Sequence, residues 1–456
     1  MAVKPLVFKC AGVLIVGGIL ALWASFTTAA EPMLAPAPSA EPLSAEASQA
    51  TAPQSLQPQP ASQLSADDDE CCPELCGAAC ASPPGSVWLR ADYLMWFTSG
   101  VRLPPLVTTS VGTPPVNEAG VLGLSTTRIL YGDSTALNDG RSGVRTTIGT
   151  WIDRCHRWGV EIDYFTLGER SNGFSADSTT TPILTRPFFN VQTGVQASEL
   201  VGYPGVSSGP VTVDVKDYFQ SAGAILTYNL GCCSGCETCD PCEDECVSCV
   251  PMTFGRRTDL IAGFRYYTLS DALTVHETPT LLQSVAPHSE IATFDIHDNF
   301  RAKNDFYGTE LGLRTQLYRG RWSLDILTKL AIGNTHSAVN INGTTDMTAN
   351  GKTSNFTEGI LAGSTNSGVF ERDEFTVIPE LTLELGYQVN CHWRAYVGYD
   401  LLYWGNISRA AEQVDLNLDP RNFPPSDTAG LPFPAFAGRT SAFWAQGVNI
   451  GTEFRF

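Results

Sequence analysis

From residue 86 onward, apolar and polar side chains alternate with a period of two, the spacing of a strand with two different faces. In "VWLRADYLMWF" (87–97), Leu89, Ala91, Tyr93, Met95 and Phe97 share one face, and Arg90 and Asp92 the other. "GVRTTIGTWID" (143–153) sets Val144, Thr146, Ile148, Thr150 and Ile152 against Arg145 and Asp153, and "WGVEIDYFTLG" (158–168) sets Val160, Ile162 and Tyr164 against Glu161 and Asp163. Similar stretches run at about 217–230, 257–269, 304–318, 322–333, 374–388, 393–404 and 441–456. Each is roughly 11 residues long, the length a tilted strand needs to cross a bilayer. The count is about ten, with twelve as the alternative.

The connections alternate as well. "RCHR", "RGR" and "VNCH" are short, whereas segments of roughly 30 to 45 residues follow the first, third, fifth, seventh and ninth strands. This asymmetry predicts an all-β fold, a transmembrane antiparallel up-and-down barrel with long outer loops and short periplasmic turns. A soluble sandwich also alternates, but its loops would not split into a short and a long set. An even strand number puts both ends of the barrel on the short-turn side. The last strand, "NIGTEFRF", must pair with the first to remove free edges. Its terminal Phe456 resembles the signal by which barrel assembly machinery recognises its clients. Trp88, Trp158, Trp322 and Trp393 each open a strand, three of them straight after a short turn, and are expected to form an interfacial girdle.

Ahead of the strands, Lys4 and Lys9 precede the apolar run "AGVLIVGGILALWASF" and the small residues "TTAAEP", the layout of a cleavable export signal over residues 1–30. The apolar run is too short for a spanning helix. Residues 31–85 are rich in Ala, Pro, Ser and Gln and end in a cysteine cluster, a composition expected to remain disordered. The barrel is expected over 86–456, interrupted by a cysteine-rich periplasmic insert at about 231–256. The protein is expected in the cell outer membrane, with lipid and the assembly machinery as partners. A formal charge of -19 argues against nucleic acid.

The segments "VWLRADYLMWFTSGVRLPPLVTT", "GVRTTIGTWIDRCHRWGVEIDYFTLGE" and "LGYQVNCHWRAYVGYDLLYWGNISRAAEQVDLN" together resemble the putative beta-barrel porin family, the seventh so numbered, abundant in planctomycete bacteria. The resemblance spans roughly 86–456 and is most specific in "WLRADYLMW" and "LLYWGNISR". It implies an outer-membrane barrel and says little about solute.

The assigned faces send Arg90, Asp92, Arg145, Glu161, Asp163, Arg265, Glu310, Arg314, Asp325, Lys329, Glu380, Glu384, Arg394, Asp400, Glu453 and Arg455 into the lumen, with acids in excess. One reading is a pore for passive diffusion of small solutes with mild cation preference. The other is a plug of paired charges in a narrow barrel, and hence a non-conducting structural or adhesive envelope protein. The cysteines Cys71, Cys72, Cys76, Cys80, Cys232, Cys233, Cys236, Cys239, Cys242, Cys246 and Cys249 are disulfide candidates in an exported protein, with a disulfide-linked partner as an open alternative. Cys236, Cys239, Cys242 and Cys246 also keep a ferredoxin-like spacing, though an oxidising location favours disulfides over a cluster or a thiolate metal site. No cofactor is implied. His276, His288, His297 and His336 lie in or near expected outer loops with acids close by, but no nucleophile elbow or metalloprotease motif accompanies them, so no enzyme activity is expected.

Overall fold

A computed structural model describes residues 86–153, 156–234, 255–282, 291–426 and 429–456. Ten antiparallel strands form a closed ring: β1 (Val87–Thr98), β2 (Arg141–Trp151), β3 (Trp158–Asp177), β4 (Pro210–Ser234), β5 (Gly255–Glu277), β6 (Ala292–Arg319), β7 (Trp322–Ala349), β8 (Gly368–Gln388), β9 (Trp393–Ile407) and β10 (Ser441–Arg455). Each pairs with its neighbours in sequence, and β1 closes the ring on β10 in a register running from Trp88↔Arg455 to Thr98↔Ala445. The expected signal and linker lie outside the described residues, as does most of the cysteine-rich insert.

Two media explain the alternation. Leu89, Tyr93, Met95 and Phe97 on β1 face outward and are exposed, while Asp92, Leu94 and Trp96 between them are buried. On β10, Val448, Ile450 and Phe454 are exposed, and Asn449 and Glu453 are buried. Exposed apolar positions run from Leu89 to Phe97 on β1 and from Phe375 to Tyr387 on β8, spans that suit a bilayer core. No helix among the described residues is long and apolar enough to cross a membrane.

Short turns are closed by local side chains. Asp153 accepts from the backbone N–H of Arg157 and Trp158 (3.1 and 2.7 Å), and Asn390 from those of His392 and Trp393 (3.0 and 2.9 Å). Between β6 and β7, Gly320 takes φ +61°, which lets Arg319 pair directly with Trp322 across a two-residue turn.

The strands differ from expectation in length. β6 and β7 each run 28 residues, far beyond a bilayer. The segments expected as long loops after β5 and β7 therefore shrink to 278–291 and 350–367, and their remainder is strand. These extensions form an outer wall. A second sheet (Asn417–Leu418, Leu184–Asn190, Val107–Ser110, Thr127–Tyr131 and Val195–Gly202) is built from the remaining loops. Together they enclose an apolar core in which Val213, Val275, Phe300 and Ile341 of the wall meet Leu106, Leu184 and Leu418 of the loops.

Candidate functional site

The inward residues of β5 give a section through the barrel from its short-turn end outward. Arg257 and Asp259 come first, then Ile261, Arg265, Tyr267, Leu269, Asp271, Leu273, Val275 and Glu277, all buried. The interior is therefore layered: charged, aromatic, charged again, then apolar.

In the lower charged layer, Arg90 pairs with Glu384 at 2.6 Å and lies 4.0 Å from Glu453. Arg145 reaches Asp92 and Asp400 at 3.1 Å each. Arg265 holds Asp163 at 2.5 Å and Glu310 at 2.7 Å, and Lys329 joins Glu310 (3.3 Å) to Glu380 (3.0 Å). Arg314 pairs with Glu161, Arg394 with Asp325, and Arg455 with Glu453 at 2.5 Å. Every residue assigned to the lumen thus points inward, and each enters an ion pair. Tyr267 donates its hydroxyl to Glu380. Glycine makes room for these long side chains. A Cβ on Gly223 would lie 2.5 Å from the Arg265 guanidinium, and one on Gly386 would lie 2.3 Å from Arg394 Nε. Within this layer lies a cavity of about 60 Å³ edged by Arg145, Glu161, Asp163, Glu380, Glu384 and Asp400, among others, enough for a handful of waters.

Above it lies an aromatic layer that the charge assignment missed. Trp96, Phe165, Phe219, Tyr267, Phe306, Trp404 and Phe443 all point inward and are buried. Phe219 on β4 meets Phe443 on β10 at 4.8 Å between ring centroids and Trp404 on β9 at 6.5 Å. Strands β4 and β9 are five apart on a ring of ten, so this contact crosses the full width of the barrel. Tyr267 and Phe306 fill the rest, at 6.0 and 6.4 Å from Trp404. The Trp404 indole N–H donates to Thr335 Oγ1 at 3.0 Å.

A loop residue caps this layer. Arg409, in the segment after β9, is 1% exposed and donates through Nε to Asp271 at 2.6 Å, with Asp217 at 3.7 Å. Arg141 also pairs with Asp217. Asn304 clamps the same segment, donating to the Ser408 carbonyl and accepting the Ser408 N–H, both at 2.8 Å. Further out, Arg186 pairs with Glu277 (3.1 Å) and Asp298 (2.6 Å), and Asp298 accepts from the N–H of Leu361 and Ala362. Burial holds the Glu199 carboxyl beside this group well above the usual carboxylate range, and Glu277 adds to the shift.

Trp158, Trp322 and Trp393 are exposed on the outer face at the short-turn end. Trp88 departs from the expected girdle. Its ring is 6% exposed and lies inside, 4.8 Å from Trp151, because β1 places position 88 on the same face as Asp92. Phe456 is exposed beyond the end of β10, its N–H donating to the Val87 carbonyl at 2.9 Å. Of the four histidines expected in or near outer loops, His276 lies in β5, His297 in β6 and His336 in β7, whereas His288 lies outside the described residues. Cys232 and Cys233 are strand positions opposite Arg257 and Arg256. The other disulfide candidates, Cys71, Cys72, Cys76, Cys80, Cys236, Cys239, Cys242, Cys246 and Cys249, lie outside the described residues.

Comparison with solved structures finds a likeness to the outer membrane protease OmpT of Escherichia coli at 8% identity, covering 82% of this chain and 97% of that one, with a TM-score of 0.35. A bacterial polysaccharide outer membrane secretin follows at 8% identity, 82% and 99% coverage and a TM-score of 0.14. Likenesses this weak carry no argument about activity. Comparison with curated proteins gives no match. The family profile described as "Putative beta barrel porin-7 (BBP7)" matches residues 88–456, which is the whole ring with its outer domain. The chain is an outer-membrane β-barrel and belongs to that family.

Proposed function

We propose that the barrel is a non-conducting anchor that holds its folded outer domain at the cell surface. One observation carries this reading: Phe219 and Trp404 meet across the lumen, inside a layer of aromatic rings with charged layers on both sides. Aromatic rings packed against one another leave no continuous water column, and an ion crossing them would lose its hydration with nothing to replace it. The charges beneath are paired, so they stabilise the fold rather than wait for a solute. Lipid contacts the outward band, and the assembly machinery recognises the last strand.

A diffusion pore with mild cation preference is the second reading. The cavity in the lower charged layer favours a pore, although it is edged by Arg90, Arg145, Arg265, Arg314 and Lys329 as well as by Glu161, Asp163, Glu380, Glu384 and Asp400. A pore would require the aromatic layer and the loop carrying Arg409 to move together. Liposome swelling separates the two readings. Vesicles holding the folded barrel should swell in isotonic small sugars no faster than empty vesicles; swelling that scales with protein content would favour the pore.

A further inference from the structure

We infer that His276, Asp295 and His297 bind a divalent transition-metal ion of the zinc class on the outward face of the wall formed by β5 and β6. His276 and His297 are direct cross-strand partners. Asp295 precedes His297 by two, so the pleat puts all three side chains on one face. The imidazoles stack with centroids 4.0 Å apart and planes 5° from parallel. Both Nε2 atoms converge on a single carboxylate oxygen, Asp295 Oδ1, at 2.8 Å from His276 and 3.1 Å from His297.

The three candidate ligand atoms all lie within 4.8 Å of one another. Ligands about 2.0–2.1 Å from a tetrahedral ion sit roughly 3.4 Å apart, so small side-chain rotations close the site with no change in the strands. The β5–β6 ladder is unbroken from Gly255↔Tyr318 through this pair to its end at Glu277↔Ile296, and β6 is paired with β7 along its whole length, which fixes both histidine Cα positions in advance. Asp346 on β7, the cross-strand partner of Asp295, adds a second carboxylate to the same face. The chemistry of the set selects the ion. Two imidazoles and one carboxylate suit zinc, nickel, copper or cobalt, whereas calcium and magnesium demand mostly oxygen ligands. Binding replaces the Nε2–H donors with Nε2 lone pairs, which requires each imidazole to carry its proton on Nδ1. Three protein ligands leave a position for water or for a donor from a neighbouring molecule. The site lies on the outer wall, so it holds whether or not the barrel conducts.

The test is titration of the folded full chain with cobalt(II), followed by absorption spectroscopy and by competition with zinc. The His276→Ala/His297→Ala variant is compared with the parent. The parent should bind one equivalent more than the variant, with the visible bands of nitrogen and oxygen ligation. Asp295→Asn, which keeps volume and hydrogen bonding, should weaken that equivalent by at least about tenfold, the loss that even an outer-shell partner carries. It serves as the test if the double variant fails to fold. Equal stoichiometry in parent and double variant, or unchanged affinity in Asp295→Asn, overturns the site. So does a thiolate-to-cobalt band on the lost equivalent, which would assign the ion to the cysteines.

Discussion

Truncating Phe219 distinguishes a dry barrel from a wet one. The side chain is fully buried and has no polar atom, so its removal costs packing alone. An aromatic side chain buries about 150–250 Å², which at about 25 cal/mol/Å² corresponds to roughly 4–6 kcal/mol of transfer free energy. The residual alanine returns part of this, and the measured range for Phe→Ala in cores is about 3–5 kcal/mol. If the aromatic layer faced an aqueous pore, most of the ring would stay hydrated, and the loss would fall below about 1 kcal/mol. Trp404→Ala should cost a similar amount and also leaves Thr335 without the indole donor at 3.0 Å. The two rings touch, so the double variant should lose less than the sum. Urea unfolding of the refolded barrel in vesicles, followed by heat-modifiable gel migration, reads these losses. A Phe219→Ala loss below 1 kcal/mol, or strict additivity with Trp404→Ala, would refute a packed layer.

Other perturbations reach the loop cap, the girdle, the last strand and the outer domain. Arg409→Ala leaves Asp271 and Asp217 buried without their loop partner; removal of one member of a buried pair costs about 3–5 kcal/mol, so limited proteolysis within 408–440 should accelerate by about a hundredfold, with Asp271→Asn restoring part of the protection. Single-tryptophan variants keeping Trp158, Trp322 or Trp393 should be quenched by brominated lipid, whereas one keeping Trp88 should not. Deletion of Phe456 should lower the amount of folded barrel in the outer membrane, checked by heat-modifiable migration of membrane fractions; undiminished insertion would remove the assembly role. Because burial raises the Glu199 carboxyl, the folded outer domain holds a proton there that the unfolded chain releases near the ordinary carboxylate range. Its stabilising contribution is complete below that range and is lost as pH rises toward the folded value. The protection factor over 184–202, taken against the intrinsic exchange rate at each pH, should therefore fall from pH 5 to pH 8, and Glu199→Gln should flatten that fall.

The ring was legible because lipid on one side and charge on the other impose strict alternation, as in 87–97 and 449–456. Both the strand count and the inward charges follow from that alternation. Strand length was not recovered, for a physical reason. "DALTVHE" (271–277) alternates as cleanly as the membrane segments, but a strand no longer than a bilayer is thick ends before it. In the structure, the outer domain supplies a second apolar interior for Leu273 and Val275. The aromatic layer escaped notice because a lumen was expected to be polar. Its trace is present in adjacent aromatic pairs: Tyr164-Phe165, Tyr218-Phe219, Tyr266-Tyr267, Phe306-Tyr307, Tyr403-Trp404 and Phe443-Trp444. In each pair one ring faces outward near the upper edge of the band and its neighbour faces inward at the same level. Arg409 had no such trace, since a loop has no period to assign its direction. The convergence of His276, Asp295 and His297 depends on the β5–β6 register, which alternation alone does not provide.

Single-channel recording in a planar bilayer, on protein first shown to be folded by heat-modifiable migration, decides whether the lumen is closed. A barrel closed by its aromatic layer should insert and leave the baseline current unchanged across the applied voltage. Discrete, repeatable steps that favour cations over anions would contradict the closed barrel and make the Glu380 and Glu384 layer the lining of a pore.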